Sequence, residues 1–163
     1  MNNLTIADIL TPGQVKLDIE CTSKKRALEM ISQIIAGTQE KLESWLVFDT
    51  LVARERLGST AVGRGIAIPH GKLAGLEKPV GAFLRLKAGI DFDSADDLPV
   101  RLIFAILVPE GGESAHLAIL GQLARRFSDP EFCMAIRDAQ SSEVVFSLLT
   151  RKIVNVDEPI ETS

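Results

Sequence analysis

The sequence has no apolar run long enough to cross a membrane. Its longest, Leu102 to Val108, is seven residues, against the roughly 20 that a spanning helix needs. Basic excess is missing too. Lys and Arg number 18 against 22 Asp and Glu, for a net charge of −4, which argues against nucleic acid as the main partner, because its backbone demands clustered cations. Cysteine is scarce: Cys21 and Cys133 show no CxxC spacing, which reads as reduced thiols, not a disulfide framework or a metal knuckle. The opening MNNLTIADIL lacks a basic segment and a long apolar core, so no signal peptide is expected. There is no internal repeat and no low-complexity tract. Histidine occurs only at His70 and His116, and neither sits in an HExxH or paired-carboxylate setting. A metal hydrolase is therefore a weak reading, and neither metal nor cofactor is expected. Together these absences predict a cytoplasmic protein with no nucleic-acid partner and no direct membrane insertion.

What is present concentrates in one stretch. Gly58 to Lys72, GSTAVGRGIAIPHGK, holds four glycines, a Ser59–Thr60 pair, Pro69 and His70. Glycines let backbone amides approach a ligand closely, and the two hydroxyls can donate to an anion. An imidazole can act as nucleophile, base or metal ligand. A nucleophilic imidazole beside donors suited to phosphate points to phosphoryl transfer through histidine. A plain glycine-rich loop is the competing reading.

With 163 residues, 46% hydrophobic and 25% charged, the chain predicts one soluble domain over residues 1–163, with a core over about 4–150. Residues 155–163 are polar and acidic and read as a flexible tail. Val15, Leu17 and Ile19 alternate with charged residues as a half-buried strand. Thr22 or Ser23 caps a helix to about Ala36, with Gly37 as its terminator. A second helix, about Leu42 to Leu57, presents Trp45, Phe48, Leu51 and Val52 on one side and ends in Arg54, Glu55 and Arg56. Cations there suit the negative end of the helix dipole.

Val80, Ala82, Leu84 and Leu86 form one face of a strand. Val100 to Val108 reads as a central strand covered on both sides, with Arg101 near solvent at its start. A helix to about Phe127 follows, with Leu117, Leu120, Ala124 and Phe127 as its buried stripe and His116 in its first turn. Asp129-Pro130 opens another helix with Phe132, Ala135 and Ile136 inside. Ser141 opens the last, with Val144, Val145, Leu148 and Leu149. The pattern predicts an α/β domain.

GSTAVGRGIAIPHGK resembles the active-site signature of the enzyme IIA domains of the bacterial phosphoenolpyruvate-dependent phosphotransferase system. The similarity is strongest to the fructose/mannitol and nitrogen-regulatory branch, whose pattern is roughly GSTGIGxGIAIPHGK. RERLGST resembles that family's REKxGST, and HLAILGQLA its HLxxLxxLA helix; the similarity extends from about Leu4 to Leu149. The resemblance implies a mixed β-sheet flanked by helices on both sides. It implies that His70 is phosphorylated, that His116 supports it without being phosphorylated, and that Arg54 meets the phosphoryl group. Ser59, Thr60, Gly63 and Gly65 are the expected phosphate-binding residues.

Ala61, Val62, Arg64 and Arg101 depart from the family pattern. Ala61 asks whether its position needs positive φ, and Arg64 adds a cation to the rim, suited to the docking of an acidic partner. The implied activity is a phosphohistidine carrier that accepts its phosphoryl group from an HPr-like protein and regulates partner proteins, in nitrogen-related or ion and metabolic regulation. The same chemistry would serve a sugar-specific enzyme IIA passing phosphate to a IIB component. A non-catalytic binding module is the alternative from another class.

Overall fold

A computed structural model describes residues 4–151; the expected tail at 155–163 lies outside them. The chain runs α1 (Ile6–Ile9), a 3-10 turn (Pro12–Gln14), β1 (Val15–Ile19), α2 (Lys24–Ala36), α3 (Ser44–Arg56), β2 (Ala61–Gly63), β3 (Ile66–Ala67), β4 (His70–Leu73), β5 (Val80–Ile90), β6 (Val100–Pro109), α4 (Glu113–Phe127), α5 (Pro130–Asp138) and α6 (Ser142–Thr150). The strands form one mixed sheet ordered β1-β5-β6-β3-β2, with β4 also on β6. β5 and β6 are antiparallel, whereas β3 and β4 both run parallel to β6, one after the other along its free edge.

Val100–Val108 is a central strand covered on both faces, as its unbroken apolar run predicts. Leu102, Phe104, Ile106 and Val108 face a core shared with α4, α5 and α6; Ile103, Ala105 and Leu107 face a second core under α2 and α3. On β5, Val80, Ala82, Leu84 and Leu86 all join the second core. Helices therefore cover both sides of the sheet.

The expected helix ends hold. Ser23, Asp129 and Ser141 each accept a backbone N–H from the first turn they cap. The helix α1 was not foreseen, although its signal is legible: Thr5 and Asp8 form a capping box.

Three apolar stripes differ from expectation. On α3 the buried positions are Val47 and Leu51, and Trp45 is 61% exposed. On α4, Leu117 is 70% exposed, and the inward positions are His116, Ile119, Leu123, Arg126 and Phe127. Two polar residues sit on that inward face, so counting apolar residues alone rotates the predicted stripe by about one position. On α6, Val144 is exposed while Val145 and Leu149 are buried.

Arg101 is half-buried, and its Nε donates to the Leu86 carbonyl at 2.8 Å, beside the irregular stretch of the β5–β6 register. Ala61 has no positive φ; that requirement falls on Gly63, Arg64 and Gly65 (φ 90°, 58° and 80°), so alanine is unstrained at position 61.

Gly71 holds the sheet close to α3. A Cβ there would lie 2.9 Å from the Thr50 γ-methyl, on a β-branched side chain whose hydroxyl is fixed to the Leu46 carbonyl at 2.8 Å. Gly71→Ala is expected to destabilise the fold by about 1–3 kcal/mol, read as a lowered urea midpoint with unchanged slope.

A two-histidine cleft at the sheet edge

Parallel pairing of β4 with β6 places His70 opposite Ile106. α3 ends beside it and α4 begins beside it, so Arg54 and His116 arrive from two different helices. Together with Thr50, Ala53, Leu57, Gly71 and Lys72 they line an open cleft of about 570 Å³. The two imidazole centroids lie 5.0 Å apart at 65°.

His70 Nδ1 lies 2.7 Å from the Ile68 carbonyl oxygen. A carbonyl only accepts, so the ring proton resides on Nδ1, and Nε2 keeps its lone pair. Burial, opposed by that hydrogen bond, holds the His70 pKa below its ordinary value, and the Arg54 cation adds to the lowering. His116 is 9% exposed, and its Nδ1 is buried with no hydrogen-bond partner among the described residues. Burial comes first in lowering its pKa, followed by His70, Lys72 and Arg54. Both rings are therefore held neutral.

The sign of the pH effect follows. A histidine with a lowered folded pKa takes up its proton more readily when unfolded. Its contribution to stability is present above about pH 6.5 and is lost as pH falls through the lower folded value. NMR titration of both rings is expected to give midpoints below about 6.5, with the melting temperature falling on acidification through the same range.

Arg54 projects from the last turn of α3, and its guanidinium donates to the Gly58 carbonyl at 2.8 Å. That bond fixes one edge of the fork beside the cleft. Lys72 Nζ lies 3.4 Å from a Glu113 carboxylate oxygen, in the first turn of α4. The cleft thus combines two cations, two neutral imidazoles and the N-terminus of a helix, all suited to an anion. In the sequence Lys72 stands out only as the residue after Gly71.

The other expected phosphate-binding residues are directed elsewhere. The Ser59 hydroxyl donates to the Phe92 carbonyl at 2.6 Å and accepts from the Ala61 N–H at 3.1 Å. The Thr60 hydroxyl donates to the Glu55 carboxylate. Gly65 lies level with Arg101 and Leu102, whose N–H groups donate to its carbonyl. Five residues of extended chain, roughly 16 Å, separate that level from His70. Gly63 lies farther still, in the β2–β3 hairpin. Arg64, in the same hairpin, accepts from Arg137 and donates its N–H to Asp96. The glycine-rich stretch is thus mainly a hairpin and a strand that deliver His70, and only its end enters the cleft.

Among the described residues no cluster of three or more His, Cys, Asp or Glu is placed to hold a metal. No described helix is long and apolar enough to cross a membrane.

Residues 8–152 match the family model for the phosphoenolpyruvate-dependent sugar phosphotransferase system, EIIA 2. A nitrogen regulatory protein of Klebsiella oxytoca is 42% identical over 148 residues, covering 90% of this chain and 91% of that protein. The crystal structure of nitrogen regulatory protein IIA-Ntr from Neisseria meningitidis superposes with a TM-score of 0.85 at 41% identity, over 89% of this chain and 99% of that one. The complex of mannitol enzyme IIA with phosphorylated enzyme IIB from Escherichia coli shares the fold at a TM-score of 0.71 and 22% identity, over 86% and 96% of the two chains. With its histidine cleft and a family match over nearly its whole length, the chain belongs to the EIIA 2 family of the phosphoenolpyruvate-dependent sugar phosphotransferase system.

Proposed function

We propose that this chain, as one enzyme IIA-like domain, is a histidine phosphocarrier whose acceptor atom is His70 Nε2. The observation that carries the reading is the 2.7 Å contact of Nδ1 with the Ile68 carbonyl. It leaves Nε2 as the nucleophilic nitrogen in a cleft lined by Arg54, Lys72 and His116.

The lone pair of Nε2 attacks the phosphorus of a phosphohistidine on an HPr-like donor. The donor's N–P bond breaks, its electron pair returns to the donor imidazole, and a new N–P bond forms on His70. The His70 ring keeps its Nδ1 proton and gains positive charge, which the Ile68 carbonyl stabilises. Arg54 supplies a fork matched to phosphoryl oxygens, and Lys72 a point charge. His116 is the supporting imidazole. With its Nδ1 buried and bare, its proton sits on Nε2 and donates to a phosphoryl oxygen. Positioning and electrostatics account for most of such catalysis.

Phosphorylation places about −1.5 to −2 charges at the cleft, enough to change which proteins dock there. The likeness to nitrogen regulatory proteins supports a regulatory output through partner proteins. A second reading, phosphate transfer to a sugar-specific IIB component, draws on the sugar system of the family and on the mannitol complex.

The test is phosphorylation in vitro from phosphoenolpyruvate through enzyme I and an HPr-like carrier, followed by intact mass. An acid-labile phosphoryl group on the wild type is expected. No label, with a control carrier active, would overturn the reading. Passage of the label onto a purified IIB domain would select the sugar-specific branch.

A further inference from the structure

Glu55 neighbours Arg54 on α3 but points away from the cleft. Its side chain is 5% exposed, and three donors converge on its carboxylate. The Thr60 hydroxyl and the Thr60 N–H both donate to it, the latter at 3.3 Å. Lys24 Nζ on α2 approaches to 2.7 Å. A carboxylate is acceptor-only and can meet all three, whereas an amide would turn a donor toward a donor. The contacts continue inward. The Thr60 carbonyl accepts the Ile68 N–H at 3.0 Å, and the Ile68 carbonyl is the one facing His70 Nδ1 at 2.7 Å.

We propose that Glu55 is a positioning residue for phosphoryl transfer: by holding Thr60 it fixes, through Ile68, the carbonyl that keeps the His70 proton on Nδ1. Ser59 secures the same segment from its other side through the Phe92 carbonyl. The two hydroxyls then have a function without touching phosphate: they set the place and tautomer of the nucleophile. Hydrogen bonds to a charged acceptor are about twice as strong as neutral ones, so this anchor holds the segment more firmly than a neutral side chain would. The inference rests on His70 being the acceptor.

The experiment uses the full chain, labelled with nitrogen-15, to read the His70 tautomer by NMR, alongside single-turnover phosphorylation from the HPr-like donor. The variants are Glu55→Gln, Thr60→Val, their double, and Thr60→Ser. Wild type and Thr60→Ser are expected to show the Nδ1–H form alone. Glu55→Gln and Thr60→Val are expected to show mixed tautomers and transfer slowed roughly ten- to a hundredfold, the scale of a displaced reacting group. The double variant is expected to be no slower than the worse single one, because both changes break one linkage. Thr60→Val is isosteric and keeps the backbone bond to Ile68, so it tests the proposal even if Glu55→Gln folds poorly. An unmixed Nδ1–H form in Thr60→Val, with transfer within about twofold of wild type, would overturn the proposal. The tautomer spectra need no phosphate, so failure of the wild type to accept a phosphoryl group would count against the carrier reading and leave the role of Glu55 decided by NMR.

Discussion

His70→Ala is expected to carry no acid-labile phosphoryl group when the donor chain labels the wild type fully. The loss is expected to be complete because the substitution removes the atom proposed to form the N–P bond. His116 cannot take its place: its Nδ1 is buried, and its ring is held in the first turn of α4. Folding should survive, because the His70 ring is only half-buried and its hydrogen bond is local. His116→Ala should still accept label, more slowly by about ten- to a hundredfold, the contribution usual for one positioned donor or acid–base group. Intact mass and a phosphate-retarding gel read both variants. Label on His70→Ala together with none on His116→Ala would reverse the two assignments.

Arg54→Ala is expected to slow acceptance by about a hundredfold or more, the scale for removing a preorganised donor aimed at developing charge. Arg54→Lys should recover only part of that, since an ammonium keeps the charge but loses the planar fork. A purely structural role at the α3 end would also slow the reaction through local fraying, so a second readout separates the two. Burial is the main cause of the lowered His70 pKa, and the Arg54 charge adds to it; removal of Arg54 should raise the His70 titration midpoint, whereas Arg54→Lys should leave it nearly unchanged. Loss of rate without that rise would place Arg54 in the scaffold, as the capping partner of Gly58.

Arg54, His70 and His116 were legible as a set because motif spacing survives in a sequence without any geometry. What the sequence leaves unread clusters where a residue's surroundings matter more than its type. Ser59 and Thr60 have hydroxyls chemically suited to phosphate, but their nearest acceptors are Phe92 and Glu55, which arrive from a distant loop and a helix face. Glu55 itself reads as one more charge at a helix end; its burial and its link to Lys24 exist only when α2 packs on α3. The α4 stripe was misread because the inward face includes His116 and Arg126, which hydropathy counts as outward.

The class of fold, the central strand and the histidine proposed as the acceptor are all legible in the sequence. Unbroken apolar β-prone residues must be covered on both faces, and a nucleophile with its glycines forms a local pattern. The packed fold alone shows where the Ser59 and Thr60 hydroxyls are directed, which nitrogen of His70 is free, that Lys72 lines the cleft, and that Glu55 is buried beside Thr60. Each of those depends on a distance of a few ångströms between residues far apart in the chain, and such distances are set by sheet register and helix packing.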